Sequence, residues 1–189
     1  MSSPALDLYR KHRLTVHDFH RMGEAGILPL GGRMELIEGE ITDMAPIGSR
    51  HAAIVKRLTA LFVRAAGARA IVSVQDPIIL GEYSEPEPDL ALIQPRDDFY
   101  ALGLPRAEEV FLIVEVADTT LRYDRDIKVP LYARHGIPEM WLIDVESRTL
   151  TVFVGPEQGR YREERRVQSL GMLAPKALPG VEVDLSGMF

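Results

Sequence analysis

The chain has 189 residues, 46% of them hydrophobic, enough to bury one sizeable core with little left for a second. It contains no cysteine, which excludes disulfides, thiolate metal sites and cysteine nucleophiles. A formal net charge of -6 argues against a simple electrostatic coat for DNA, but leaves room for a local basic groove. The first segment, Met1 to Arg13, is polar, carries Arg10, Lys11 and Arg13 and lacks an apolar h-region, so no signal peptide is expected. No apolar run approaches the roughly 18 residues needed to span a bilayer. The expectation is a soluble cytoplasmic protein with no membrane contact. A single domain spans 1–189, with 1–14 as a flexible or loosely docked lead-in.

Thr15 opens a short helical pattern as candidate N-cap, and Gly26 stops it. Met34 to Met44 reads as a hairpin, Met34–Ile37 and Glu40–Met44 turning on Glu38-Gly39. Ser49 to Ala66 is the clearest helix. Its apolar positions Ala53, Ile54, Leu58, Leu61, Phe62 and Ala65 share one face, and Gly67 ends it. Strands are predicted over 70–74, 78–80, 90–93 and 110–116. The polar, proline-containing stretch 94–109 between the last two is a candidate flap. Tyr123 to His135 reads as a second main helix, with Pro130 inside it as a kink or a late first turn. Strands at 140–143, 150–154 and 161–167 follow. The apolar Val181, Val183, Leu185 and Phe189 of the tail predict that it docks. Trp141 and Tyr132 are assigned to the core. Helices and strands in this order predict an α/β fold, a central mixed sheet flanked by helices.

The chemistry concentrates in three residues. Asp89 stands in the run Pro88–Ile93 and Glu115 in Val110–Val116, both apolar and strand-like; Lys128 follows on a helix. A carboxylate in such a strand loses hydration and needs a cation, hydrogen bonds or a metal. Magnesium prefers one or two carboxylates plus waters and phosphate oxygens. Asp89 and Glu115 at the ends of neighbouring strands would supply that pair, and the carbonyl of Val116 would complete it. The plainer alternative is that Asp89 caps a turn after Pro88 and Glu115 pairs with an arginine. For Lys128 it is a surface ion pair with Asp124, four residues before it.

The order Pro88-Asp89, Val114-Glu115-Val116, Lys128 resembles the PD-(D/E)XK pattern of restriction-endonuclease-like nucleases. More narrowly, the stretch from Thr15 to Phe189 resembles the bacterial Uma-two family of proposed restriction endonucleases. That resemblance implies an αβββαβ core, with the helix from Ser49 as its first helix and that from Tyr123 as its second. It implies catalysis by Asp89, Glu115 and Lys128, with magnesium or manganese on Asp89, Glu115 and Val116. It also brings in Glu40 as a third acidic ligand and His51 as a neutral partner of a site carboxylate, with Glu35 recurring in the same hairpin. The sequence departs from the superfamily at Ala117, where the usual lysine would stand two residues after the glutamate. Lys128, one or two turns into the next helix, would bring its ammonium to the same spot.

The function these readings imply is magnesium-dependent endonucleolytic hydrolysis of DNA. The alternative is a nuclease-fold protein with a weak or inactive site that binds nucleic acid or regulates. Arg50, Lys56, Arg57, Arg64, Arg122, Arg125 and Arg134 are candidate phosphate contacts, interleaved with acids. A homodimer is expected, because symmetric pairs are the default assembly and two cuts in a duplex need two sites. No protein partner follows from the sequence.

Overall fold

The computed structural model describes residues 11–29 and 31–189. Residues 1–10 of the predicted lead-in lie outside the described residues. Its last part docks: the Leu14 amide donates to the Gly39 carbonyl at 3.0 Å, and the Arg13 guanidinium lies over the Tyr83 ring.

Helix α1 (Val16–Glu24) starts at Thr15, whose hydroxyl accepts from the Asp18 amide while the Asp18 carboxylate accepts from the Thr15 amide. This reciprocal pair satisfies two of the free donors at the helix start. Strands β1 (Met34–Ile37) and β2 (Glu40–Asp43) form a separate two-stranded sheet. Their turn places Glu38 and Gly39 both at positive φ, 52° and 85°, the mirror-image turn that suits the twist of a hairpin. A Cβ at Gly39 would lie 2.6 Å from Arg13 Cβ, so this turn needs glycine twice over.

The main sheet has six strands in the order β3-β4-β5-β6-β7-β8. They are β3 (Ile71–Ser73), β4 (Leu90–Ile93), β5 (Val110–Ala117), β6 (Glu139–Asp144), β7 (Thr149–Glu157) and β8 (Arg160–Val167). Only β5 and β6 run parallel, and parallel neighbours need a crossover. Helical turn α3 (Leu121–Tyr123), a π-helical segment Asp124–Lys128 and α4 (Val129–Arg134) supply it. With α2 (Ser49–Ala66) ahead of β3, the order α2-β3-β4-β5-α4-β6 is the αβββαβ plan that the family resemblance implies. Tail strands β9 (Met172–Leu173) and β10 (Val183–Asp184) pair beside it.

Each face of the sheet has its own core. On one face Leu90, Leu92, Leu112, Val114, Val116 and Trp141 pack under Ile54, Leu58 and Phe62 of α2 and under Val181, Val183 and Leu185 of the docked tail. On the other, Ala91, Ile93, Ile113, Ala117, Met140 and Leu142 meet Leu131 and Tyr132 of α4. The central strand is therefore covered on both sides, and its sequence is a continuous apolar run for that reason. The register between β4 and β5 slips by one residue between Leu92 and Ile93. That bulge turns Phe111 to the α2 side, away from the face of Ile113 and Glu115 that simple alternation gives it.

Two other expectations need correction. Residues 78–80 form no strand: Ile78 and Leu80 are fully buried, but only Ile79 makes a bridge, to Arg106. Burial without a neighbouring ladder mimics a strand in sequence. The stretch 94–109 is no flap over the acids. It joins the end of β4 to the start of β5, whereas Asp89 precedes β4 and Glu115 lies near the end of β5. It is closed on itself by a bond from the Gln94 amide to the Glu109 carbonyl at 2.8 Å and by a two-pronged Arg96–Asp98 pair. The helix from Tyr123 is interrupted ahead of Pro130, as the proline in its sequence leads one to expect. Pro130 lacks an N–H and crowds the carbonyl four residues back, and the turn before it widens, with the Val129 amide bonding the Asp124 carbonyl. No helix among the described residues is long and apolar enough to cross a membrane.

Candidate active site

The β4–β5 register pairs Leu90 with Val114; one step further, Asp89 stands opposite Glu115 on the same face. The backbone ties them together. The Val116 amide donates to Asp89 Oδ2 at 2.9 Å, and the Asp89 amide points at Glu115 Oε2 at 3.4 Å. Asp89 is 9% exposed and Glu115 2%, so both carboxylates have left water.

Lys128 meets them from the crossover. Its ammonium lies 3.1 Å from Glu115 Oε1 and 2.7 Å from Glu35 Oε1. Glu35 arrives from β1, held because Leu36 exchanges backbone hydrogen bonds with Glu85 and because the Glu87 amide donates to Glu35 Oε1 at 2.9 Å. Tyr132, one turn past Lys128, donates its hydroxyl to Glu115 Oε1 at 2.6 Å. Asp124, one turn before, is buried and accepts from the Thr120 hydroxyl. Successive i, i+4 steps on an α-helix drift by about 40° each. The wider π turn takes up part of that drift, so Asp124, Lys128 and Tyr132 all turn towards the sheet. The ammonium thus reaches Glu115 although Ala117, itself buried, fills the usual lysine position.

His51, in the first turn of α2, places Nε2 2.9 Å from Asp89 Oδ1, which also accepts from Gln75 at 3.2 Å. His51 Nδ1 is buried and has no partner among the described residues. Glu40 is corrected: it is exposed at the turn end of β2 and pairs with Lys11 at 3.2 Å, outside the cleft. The buried acid of the hairpin is Glu35. Tyr132, assigned to the core from sequence, is in the core by its ring and in the site by its hydroxyl.

The electrostatics follow from one imbalance. Four buried carboxylates, Glu35, Asp89, Glu115 and Asp124, surround one buried lysine. Burial pushes the Glu115 carboxyl up to about 8; Lys128 opposes the rise, and the charges on Asp89, Asp124 and Glu35 add to it. For Lys128, burial works against the charge, but Glu115, Glu35 and Asp124 outweigh it and its pKa is raised. Burial raises the pKa of Asp124 as well, against Lys128 and the Thr120 hydroxyl.

These groups floor a cleft of about 260 Å³. Thr42, Asp43 and the loop from Met44 to Gly48 form one wall, and Asp118 to Asp124 the other. No three His, Cys, Asp or Glu side chains among the described residues cluster as a ready-made metal cage. Two adjacent carboxylates with an excess of buried negative charge instead suit a hard cation that keeps part of its water. Asp89 and Glu115 are the side chains that fit it, beside the backbone of Val116, which also lines the cleft.

Residues 16–186 match the family model Uma2, described as "Putative restriction endonuclease". No curated protein matches the chain. Among solved structures it resembles a protein from Anabaena variabilis described as "a putative nuclease belonging to DUF820". The TM-score is 0.68 at 17% identity, over 93% of this chain and 97% of that one. At that identity the likeness speaks for the fold, and for a mixed sheet flanked by helices it agrees with the topology above. The family match runs from the first residue of α1 into the docked tail and takes in every residue of the cleft, and the chain belongs to the Uma2 family.

Proposed function

We propose that the protein is a magnesium- or manganese-dependent endonuclease that hydrolyses phosphodiester bonds of DNA, and that it acts as a homodimer. The observation that carries the reading is the buried cluster itself: Asp89 and Glu115 side by side with the Lys128 ammonium 3.1 Å from Glu115. Burying that much unbalanced negative charge is costly unless a cation shares the site. A divalent ion held by Asp89, Glu115 and the Val116 carbonyl would supply Lewis acidity and neutralise charge at the scissile phosphate. Lys128, charged and largely dry, stabilises the negative charge that develops on the phosphate oxygens. Glu35 and Tyr132 act as positioning residues: the first anchors the lysine, the second fixes one oxygen of Glu115. His51 orients Asp89 through its Oδ1.

The test joins stability to activity. A cation that binds only the folded state stabilises it by mass action, so manganese should raise the melting temperature of the wild type but not of Asp89→Ala or Glu115→Ala. Manganese-dependent cleavage of a labelled DNA should vanish in the same two variants. Equal melting shifts in all three proteins would remove the metal site from the proposal.

A further inference from the structure

We infer that the outer face of α2 is a cradle for duplex DNA beside the cleft, holding it by its phosphates; this rests on the nuclease reading above and names its substrate class. The first ground is charge. In a chain of formal net charge -6, α2 carries Arg50, Lys56, Arg57 and Arg64 and no acid. An exposed helix ordinarily mixes the two signs, because opposite charges three or four residues apart stabilise it. Nothing on this helix offsets its cations. Arg50 even stands in the first turn, where the helix dipole disfavours positive charge.

The second ground is placement. Ile54, Val55, Leu58, Phe62 and Ala66 face the core, which leaves Ala53, Lys56, Arg57, Ala60, Val63 and Arg64 exposed on the outside. Arg50, Arg57 and Arg64 follow one another at seven residues, two turns less about 20°, so they form a row about 21 Å long. Lys56 flanks it. The row starts at the cleft, where Gly48 and His51 are lining residues and Arg50 bonds Asp118 at 2.7 Å. Lys56 and Arg64 make no ion pair among the described residues. Arg57 donates to the carbonyls of Gly187 and Met188 at 2.6 and 3.3 Å, neutral acceptors that leave its charge uncancelled. The exposed acids of the docked tail, Glu182 and Asp184, pair with none of the four. On the crossover, by contrast, Arg125 and Arg134 are paired with Glu164 and Glu38. The free cations are therefore concentrated on α2, with Arg122 exposed between the lining residues Thr120 and Tyr123.

The chemistry of the face selects the partner. A duplex carries one phosphate charge per ≈ 1.7 Å of its axis, so about 21 Å of it spans roughly six base pairs. It stays straight over that length, as the row does. Surfaces for single strands add aromatic rings on which bases stack. The one Phe, Tyr or Trp of α2 is Phe62, and it is fully buried.

The experiment measures binding of a labelled blunt 24-base-pair DNA duplex by fluorescence anisotropy, in EDTA and over a range of KCl concentrations. Lys56→Gln with Arg64→Gln, both exposed, should keep the wild-type melting temperature and weaken binding at least tenfold at low salt. Each lost phosphate contact lowers the salt slope by about one, so the slope should fall by about two. Arg160→Gln with Arg166→Gln, an equal change of charge on β8, should leave the affinity within twofold. Equal losses in the two double variants, or an unchanged slope in the first, would overturn the inference. So would a single strand of the same length bound as tightly as the duplex, or capture of phosphatidylserine vesicles through Lys56 and Arg64 in place of DNA. Incubation with manganese then tests the nuclease reading apart. Duplex binding that weakens in the α2 variant, with no cleavage by any protein, supports the cradle and overturns the nuclease assignment. Cleavage that needs Asp89 and Glu115 but is indifferent to the α2 variant at limiting duplex keeps the nuclease and overturns the cradle.

Discussion

Glu115 and Lys128 make the sharpest demands, because each is buried and each depends on the other. The fold raises the Glu115 carboxyl from its usual 4.5 to about 8, so it favours the protonated form. The sign is then fixed: this group's stabilisation is whole below about pH 4.5 and is lost as pH rises through about 8. The metal-free protein should melt at falling temperatures across that window, and Glu115→Gln should flatten the descent. Manganese selects the charged carboxylate, so its melting shift should be larger at pH 8 than at pH 5; an equal shift at both would place the ion elsewhere. Removing the cation has the opposite polarity. Lys128→Met leaves Glu35 and Glu115 facing each other without a counter-ion, and breaking a buried pair costs about 3–5 kcal/mol. The loss should shrink at low pH, where the carboxylates protonate. In the same variant cleavage should drop by roughly 10² or more, with the manganese shift retained, and Lys128→Arg should rescue poorly because a planar fork does not replace a point charge. The burial of Asp89 and Glu115 was legible in sequence because a charge inside an apolar strand has few explanations. Glu35 was not distinguishable from Glu40: both flank the same turn, and only the docking of Leu36 on Glu85 decides which carboxylate is buried. Tyr132 was hidden because a buried aromatic ring looks the same in sequence whether or not its hydroxyl is in use.

At the scale of elements, local signals that satisfy their own backbone were readable. The Thr15 cap, the Glu38-Gly39 turn and the Gly67 stop of α2 each occur where the sequence places them. The features that local sequence leaves open are those whose form depends on partners or crowding: the missing ladder at 78–80, the bulge at Phe111, and the π form of the turn ahead of Pro130. Helix α2 holds its face of the sheet chiefly through the buried residues Ile54, Val55, Leu58, Phe62 and Ala66, whose three- and four-residue spacings put neighbours on one face. Phe62 packs on Trp141 with ring centroids 5.7 Å apart, and both are fully buried. Phe62→Ala removes a large side chain at a site lined by β-strand neighbours that cannot collapse inward, so about 3–5 kcal/mol of stability should be lost. Trp141 is the chain's one tryptophan, so its emission reports the cavity directly. A melting temperature unchanged in Phe62→Ala would mean that α2 is held by something other than these residues. His51 sits in the first turn of that helix, so a milder variant, Phe62→Leu, should disturb cleavage through its position before it disturbs folding.

For the whole molecule, assembly turns on the rim of the sheet, which holds one long strand. Strand β8 closes the six-stranded order and is largely exposed on both faces. An unpaired edge invites a second copy, and a two-fold pair is the commonest closed arrangement. The edge also carries its own restraint. Glu164 is bound to Arg125 at 2.8 Å and Glu163 to Lys176 at 2.9 Å, and like charges brought directly opposite each other across a pair of strands are destabilising. Contact through β8 would therefore be specific in register and modest in strength. Light scattering at micromolar concentration should give twice the 21.1 kDa of one chain, with dissociation on dilution; one chain's mass at every concentration would count against the dimer. Activity separates assembly from chemistry. Glu35, Asp89, Glu115 and Lys128 converge within a single chain, so no residue need come from a partner. Cleavage of a labelled DNA should stay first order in protein as the dimer is diluted apart. A rate that falls with the square of concentration would mean that the cleft is completed by its neighbour.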